Sequence, residues 1–275
     1  MTGRQAWKIV AGAFIHFNDD DGWAMASHVA LSTLLAIFPF LIFGASLASF
    51  VGADAYADTA VHIIFDTWPK SIAEPIARQV LDVLTVERSG LLTVSVLVTA
   101  FFASNGVEAL RVSLNRAYRV QDKRSFLFIR TQSLVFVLLA TLLLVVVSFL
   151  LVLGPLLSKT AVEWMPLSAN LMAHFENWRI LAAILVLFFG LLVCHRWLPY
   201  GHRSFREILP GVLLTMFFWM VGAKIFTFYL QNFSIYVATY AGLASIMIAL
   251  VFLYMIAAIF ILGAELNASM LAESE

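Results

Sequence analysis

Long uncharged runs alternate along the chain with short polar segments. No Asp, Glu, Lys or Arg occurs in residues 22–53, 89–107 or 131–158. Residues 180–195 and 208–223 are shorter runs of the same kind, and their flanking Arg and Lys can snorkel. Residues 225–264 form an uncharged block of 40. That is too long for one helix across a ~30 Å hydrocarbon core, and Gln231-Asn232-Phe233-Ser234 breaks it. A membrane helix needs roughly 20 predominantly apolar residues. The pattern therefore predicts six spans, about 23–50, 90–113, 131–157, 178–198, 208–230 and 241–266. Helices are required because an open sheet leaves backbone groups unpaired in lipid. Runs such as Leu142 to Val147 do not alternate as barrel strands would. The expected fold is all-α, a polytopic membrane protein whose residues 1–275 form a single membrane domain.

Two further segments are amphipathic. Trp7, Val10, Phe14 and Phe17 share one face of a helix over 4–17. This reads as an N-terminal interfacial helix, with packing against the bundle as the rival reading. In residues 54–87, Val61, Ile64, Phe65 and Trp68 form one stripe, and Ile72, Ile76, Val80, Val83 and Leu84 form another. Trp68-Pro69-Lys70-Ser71 lies between them as a turn. An amphipathic helical hairpin between spans one and two, capping the outer end of the bundle, fits this pattern.

Composition narrows the class. Hydrophobic residues make up 62% of the chain and charged residues 12%, about half the ~25% charged of soluble domains. That excludes an ordinary soluble enzyme, a disordered chain and a disulfide scaffold. Net charge is zero, which argues against nucleic acid as a partner. The single Cys194 excludes an intrachain disulfide and reads as a small buried hydrophobe. Ile9–Phe17 is too short an apolar run for a cleavable signal, so the first span is expected to direct insertion. Of the 17 Lys and Arg, 11 fall in the N-terminal segment and the 2–3 and 4–5 connections. The positive-inside bias puts both termini in the cytoplasm of a multi-pass inner-membrane protein.

Polar groups inside spans are costly, and they supply the candidate site. Ser104, Glu108, Arg111 and Asn115 share a face of span two, with Asn105 beside it. This face reads either as one wall of a polar cavity open to the cytoplasm or as a helix end with an ordinary ion pair. Glu265 closes span six on the same side, and Lys224 lies at the outer end of span five. Pro39 is a candidate kink in span one. The chain has no G-x-x-x-x-G-K-[ST], H-E-x-x-H or G-x-S-x-G motif. Its six His are scattered, and Asp19-Asp20-Asp21 point in different directions on a helix. No catalytic residue, metal or cofactor is expected.

Met25-Ala26-Ser27-His28-Val29-Ala30-Leu31-Ser32-Thr33-Leu34-Leu35-Ala36-Ile37-Phe38-Pro39 resembles the first-span signature of the YihY/BrkB membrane proteins. Asn105-Gly106-Val107-Glu108-Ala109-Leu110 with Leu114-Asn115-Arg116-Ala117-Tyr118 is similar to that family's second-span exit. Pro210-Gly211, Tyr240-Ala241-Gly242-Leu243-Ala244 and Leu262-Gly263-Ala264-Glu265-Leu266 resemble its later landmarks. The resemblance implies a six-helix inner-membrane protein. Some members of the family carry a virulence label and others an old ribonuclease label. The expected function is transport or lipid translocation without an ATPase of its own, with membrane lipids and envelope proteins as partners. A non-catalytic envelope scaffold is the alternative, and a hydrolase ranks third.

Overall fold

The computed structural model describes residues 3–50, 92–148, 150, 169–232 and 234–274. Among these, regular structure is helical and no strand occurs. The helices are α1 (Gly3–Asp19), α2 (Gly22–Phe50), α3 (Leu92–Ala117), α4 (Phe126–Ser148), α5 (Ala169–Trp197), α6 (Phe205–Asn232) and α7 (Ser234–Ser274). The hairpin expected over 54–87 lies outside the described residues.

Six helices close into a ring. Consecutive pairs pack from α2 to α7, except that α2 reaches α3 across the long connection. The ring closes where α7 meets α2, and α3 also touches α7 across it. The ends share one face of the bundle. Arg116 of α3 reaches Asp21 before α2, Gln132 of α4 reaches the Trp197 carbonyl of α5, and Asn267 of α7 reaches Gly211 of α6. Neighbours in the ring therefore run antiparallel, as short connections require. This shared face, rich in arginine, is the basic end.

The outer surface is apolar. Leu138, Leu142, Phe189, Leu213, Phe217, Ile225 and Phe228 are exposed, an arrangement that suits lipid rather than water. α4 to α7 each contain a stretch long and apolar enough to cross a membrane. α2 offers a shorter described apolar run, Gly22–Ile37. α3 carries Glu108, Arg111 and Arg116 in its second half, which lowers its hydropathy. α2 continues as helix through Pro39, whose missing N–H leaves the Leu35 carbonyl without its intrahelical donor.

α1 divides the apolar set read from the sequence. Ile9, Ala13 and Phe17 are buried, Ile9 and Ala13 together with Leu266 of α7. Trp7, Val10 and Phe14 stay exposed on the other side. The helix is packed against the bundle by one face and offers a second apolar face outward.

The connections at the basic end are tight. α3 ends in a Schellman motif, with Val120 N–H on the Asn115 carbonyl and Arg119 N–H on that of Arg116, both at 2.9 Å. Arg119 takes the left-handed position, φ 54°, where glycine is usual. Asp21, between α1 and α2, has the same φ. Ion pairs join the two turns, Arg116 to Asp21 at 2.6 Å and Arg119 to Asp20 at 3.3 Å.

α6 and α7 meet backbone to backbone. A Cβ on Gly211 would fall on the Gly263 carbonyl oxygen, and one on Gly263 would strike Thr215 Oγ1. Pro210 lies inside α6 beside this contact, and Asn267 bonds the α6 backbone on either side of it. Its Oδ1 accepts from Gly211 N–H at 2.6 Å, and its Nδ2 donates to the Ile208 carbonyl at 3.1 Å.

Candidate functional site

The polar face of α3 holds the centre of an ion network at the basic end. The Schellman turn directs residues 118–125 back along the helix and brings Asp122 to it. One carboxylate oxygen of Asp122 accepts from Arg111 at 2.5 Å, from Asn115 at 3.0 Å and from Arg124 at 2.6 Å. The other accepts from Arg124 Nε at 2.8 Å. These donors, Arg124 first, hold the Asp122 carboxyl well below the ordinary carboxylate range, against the opposing effect of burial.

The network extends to α4 and to the α5–α6 turn. Glu108 lies 3.4 Å from Arg111 on its own helix and 3.3 Å from Arg130 of α4. Asn105 accepts from Arg130 at 2.8 Å. Arg124 donates to Gln132 of α4 and to the Leu198 carbonyl after α5. Asn115 Oδ1 accepts from Tyr200 N–H at 2.7 Å. Asn105, Glu108, Arg111 and Asn115 thus join α3 to α4 and to the α5–α6 turn. Ser104 is buried but turned back on its helix, donating to the Phe101 carbonyl at 2.8 Å.

Glu265 is separate from that network. It is buried on α7 and pairs with Arg119 at 3.0 Å. Lys224 is exposed toward the far end of α6, so the two do not pair.

A neutral polar chain runs beside the network. Asn267 Nδ2 donates to the Tyr118 hydroxyl at 3.1 Å, and that hydroxyl lies 3.1 Å from His195 Nδ1. Assigning the Tyr118 proton to Nδ1 puts the imidazole hydrogen on Nε2, a buried atom with no partner among the described residues. Burial pushes the Tyr118 hydroxyl up to about 12. The Arg203 guanidinium lies over the Tyr118 ring at 3.8 Å.

No group of three or more His, Cys, Asp or Glu suited to a metal occurs among the described residues. The chemistry on offer is charge: guanidiniums that bind anions, and carboxylates that occupy some of them. A family model described as Virulence factor BrkB matches residues 13–275. The chain belongs to the BrkB family.

Three relatives show the range of names in and around the BrkB family. The chain is 28% identical over 257 residues to the "Putative ribonuclease-like protein YfkH" of Bacillus subtilis, covering 93% of this chain and 92% of that one. It is 27% identical over 282 residues to a "UPF0761 membrane protein" of Xanthomonas campestris, covering 98% of this chain and 60% of the relative. The "UPF0761 membrane protein" of Xanthomonas axonopodis is equally similar, with 61% of it covered. The chain thus spans about three fifths of those Xanthomonas relatives. No solved structure matches it.

The sequence points to the α3 residues and Glu265 without the groups that hold them. Asp122, Arg124, Arg130 and Arg119 were visible only as loop or flanking charges. Their signal was an acid isolated among bases, in a connection of eight residues between α3 and α4. Asn267 and the His195–Tyr118 contact gave no signal, because neither forms a spacing pattern within its own helix.

Proposed function

We propose that this BrkB family protein moves a lipid or charged solute across the inner membrane without an ATPase of its own. The polar face of α3 is the pathway, and the basic end faces the cytoplasm. The observation that carries this reading is Glu108. Its side chain is 34% exposed and lies between guanidiniums of two helices at 3.3 and 3.4 Å. These contacts are longer than the 2.5 Å bond fixing Arg111 to Asp122. An anionic group arriving at Arg130 therefore has a weakly held competitor, at a depth where unpaired charge is costly.

The test is fluorescent-lipid and anion flux in proteoliposomes. Glu108→Gln is expected to reduce flux about tenfold or more, which corresponds to about 1.4 kcal/mol at the limiting step. Equal flux in the variant and the wild type removes α3 as the pathway. Orientation has its own check. A fluorescent protein fused at the C-terminus should fluoresce and alkaline phosphatase fused there should be inactive; an active phosphatase reverses the assignment.

One observation favours a second reading, a non-catalytic envelope scaffold. Asn105, Glu108, Arg111 and Asn115 all have protein partners already. A scaffold gives no flux and retains protein partners through purification. We assign no hydrolase activity; cleavage of RNA or lipid esters by the pure protein with divalent metal would overturn that.

A further inference from the structure

The α5–α6 turn has a basic cavity and an apolar groove next to each other, and the pathway above uses neither. The cavity, about 280 Å³, lies among the start of α4, the end of α5 and residues 199–203. Arg124, Arg196 and Arg203 line it, with Gln132, Tyr200 and His202. Arg124 is committed to Asp122, Gln132 and the Leu198 carbonyl. Arg196 and Arg203 are not committed in this way. Each gives one hydrogen bond, from Nη1 to a backbone carbonyl, Arg196 to that of Arg203 and Arg203 to that of Tyr200. No carboxylate lies within 4 Å of either among the described residues.

The groove, about 400 Å³, runs between α5 and α6 along Leu192, Val193 and Leu209. Trp197 lines both spaces. The Arg196 guanidinium sits at the junction, 4.3 Å from the centre of the Phe205 ring and 5.5 Å from that of Trp197. The apolar stretch of α5 ends at Trp197 and that of α6 begins at Phe205, so the junction is at the membrane boundary. Aromatic rings are enriched at that level, and basic pockets between membrane helices take anionic headgroups.

We propose that the α5–α6 turn binds an anionic glycerophospholipid, with its phosphate at Arg196 and Arg203 and one acyl chain in the α5–α6 groove. Charge complementarity selects the headgroup: neither guanidinium has a carboxylate within 4 Å among the described residues. The adjoining groove selects a lipid over a free anion. The site is distinct from the α3 face and stands whether or not the protein carries flux.

The experiment is native mass spectrometry of the full chain in detergent, titrated with phosphatidylglycerol or phosphatidylcholine. The expected result is preferential retention of phosphatidylglycerol. Arg196→Gln should weaken it about fivefold, the equivalent of ~1 kcal/mol for one arginine at the surface. Arg203 is buried, so Arg203→Gln risks the fold, and the test rests on Arg196. Val193→Trp, which fills the groove, should weaken long-chain phosphatidylglycerol and leave the short-chain dihexanoyl form unchanged. Equal retention of the two lipids overturns the proposal, as does an Arg196→Gln protein that melts like wild type and binds phosphatidylglycerol equally. Displacement of long-chain lipid by equimolar inorganic phosphate overturns it too, because the cavity would then recognise a free anion. Flux plays no part in these readouts, so loss of the transport reading leaves them intact.

Discussion

Gly211→Ala and Gly263→Ala should each lower the melting temperature by about 10 °C, whereas Gly12→Ala should leave it unchanged. The new Cβ at 211 falls on the Gly263 carbonyl oxygen, and it would also lie 2.6 Å from Asn267 Cγ. Backbone cannot give way as a side-chain tip does. Overpacking costs typically 1–3 kcal/mol and sometimes more; at about 2–4 °C per kcal/mol for a chain of this size, the upper end corresponds to the stated shift. Moving α7 away to make room also withdraws Asn267 from Gly211 N–H, the Ile208 carbonyl and the Tyr118 hydroxyl. At Gly12 the added carbon meets only the Ser269 side chain, Oγ at 3.7 Å, an ordinary contact. A Gly211→Ala protein with wild-type melting in detergent would mean that α6 and α7 are not in backbone contact.

Asp122→Ala should cost about 3–5 kcal/mol, the range for removing one partner of a buried ion pair. Its side chain and those of Arg111 and Arg124 are 8–14% exposed, so water replaces little of what is lost. Arg111 keeps only Glu108 at 3.4 Å. Arg124 keeps Gln132 and the Leu198 carbonyl. Asp122→Asn should cost less, because its amide oxygen still accepts from one guanidinium. The pH dependence has a definite sign. The folded-state pKa is depressed below the ordinary 3.8, so the stabilisation is fully present above about pH 4. It is lost as pH falls through the folded value. Melting curves from pH 7 to pH 3 should therefore decline less in Asp122→Asn than in wild type. An identical decline would show that Asp122 does not carry this charge-dependent stability.

The sequence shows the helices of this protein far better than their faces. Uncharged runs locate α4 to α7, since lipid demands apolar length and internal backbone pairing. Those runs say little about which side faces in, because lipid and protein interior are both apolar. α1 illustrates this: Phe17 was grouped with Trp7, Val10 and Phe14, yet it is buried and they are exposed. The candidate site was legible where it is local. Glu108 and Arg111, three apart, lie within ion-pair distance as helical spacing implies. Their further partners were hidden, because Asp122 returns to Arg111 only through a turn that has Arg119 where glycine is usual. Asn267 was hidden for another reason. It bonds backbone groups of α6 more than 50 positions away, and no periodicity within α7 expresses that.

The seam between α6 and α7 limits how the bundle can change shape. Two helices in backbone contact, bridged by one amide bonded to its neighbour's backbone, have no room to slide or roll past each other. They must travel as one body. The opposite side of the ring, between α3 and α4, is joined by the long side chain of Arg130, which reaches Asn105 and Glu108. The ring is thus held by backbone contact on one side and by side-chain bonds on the other.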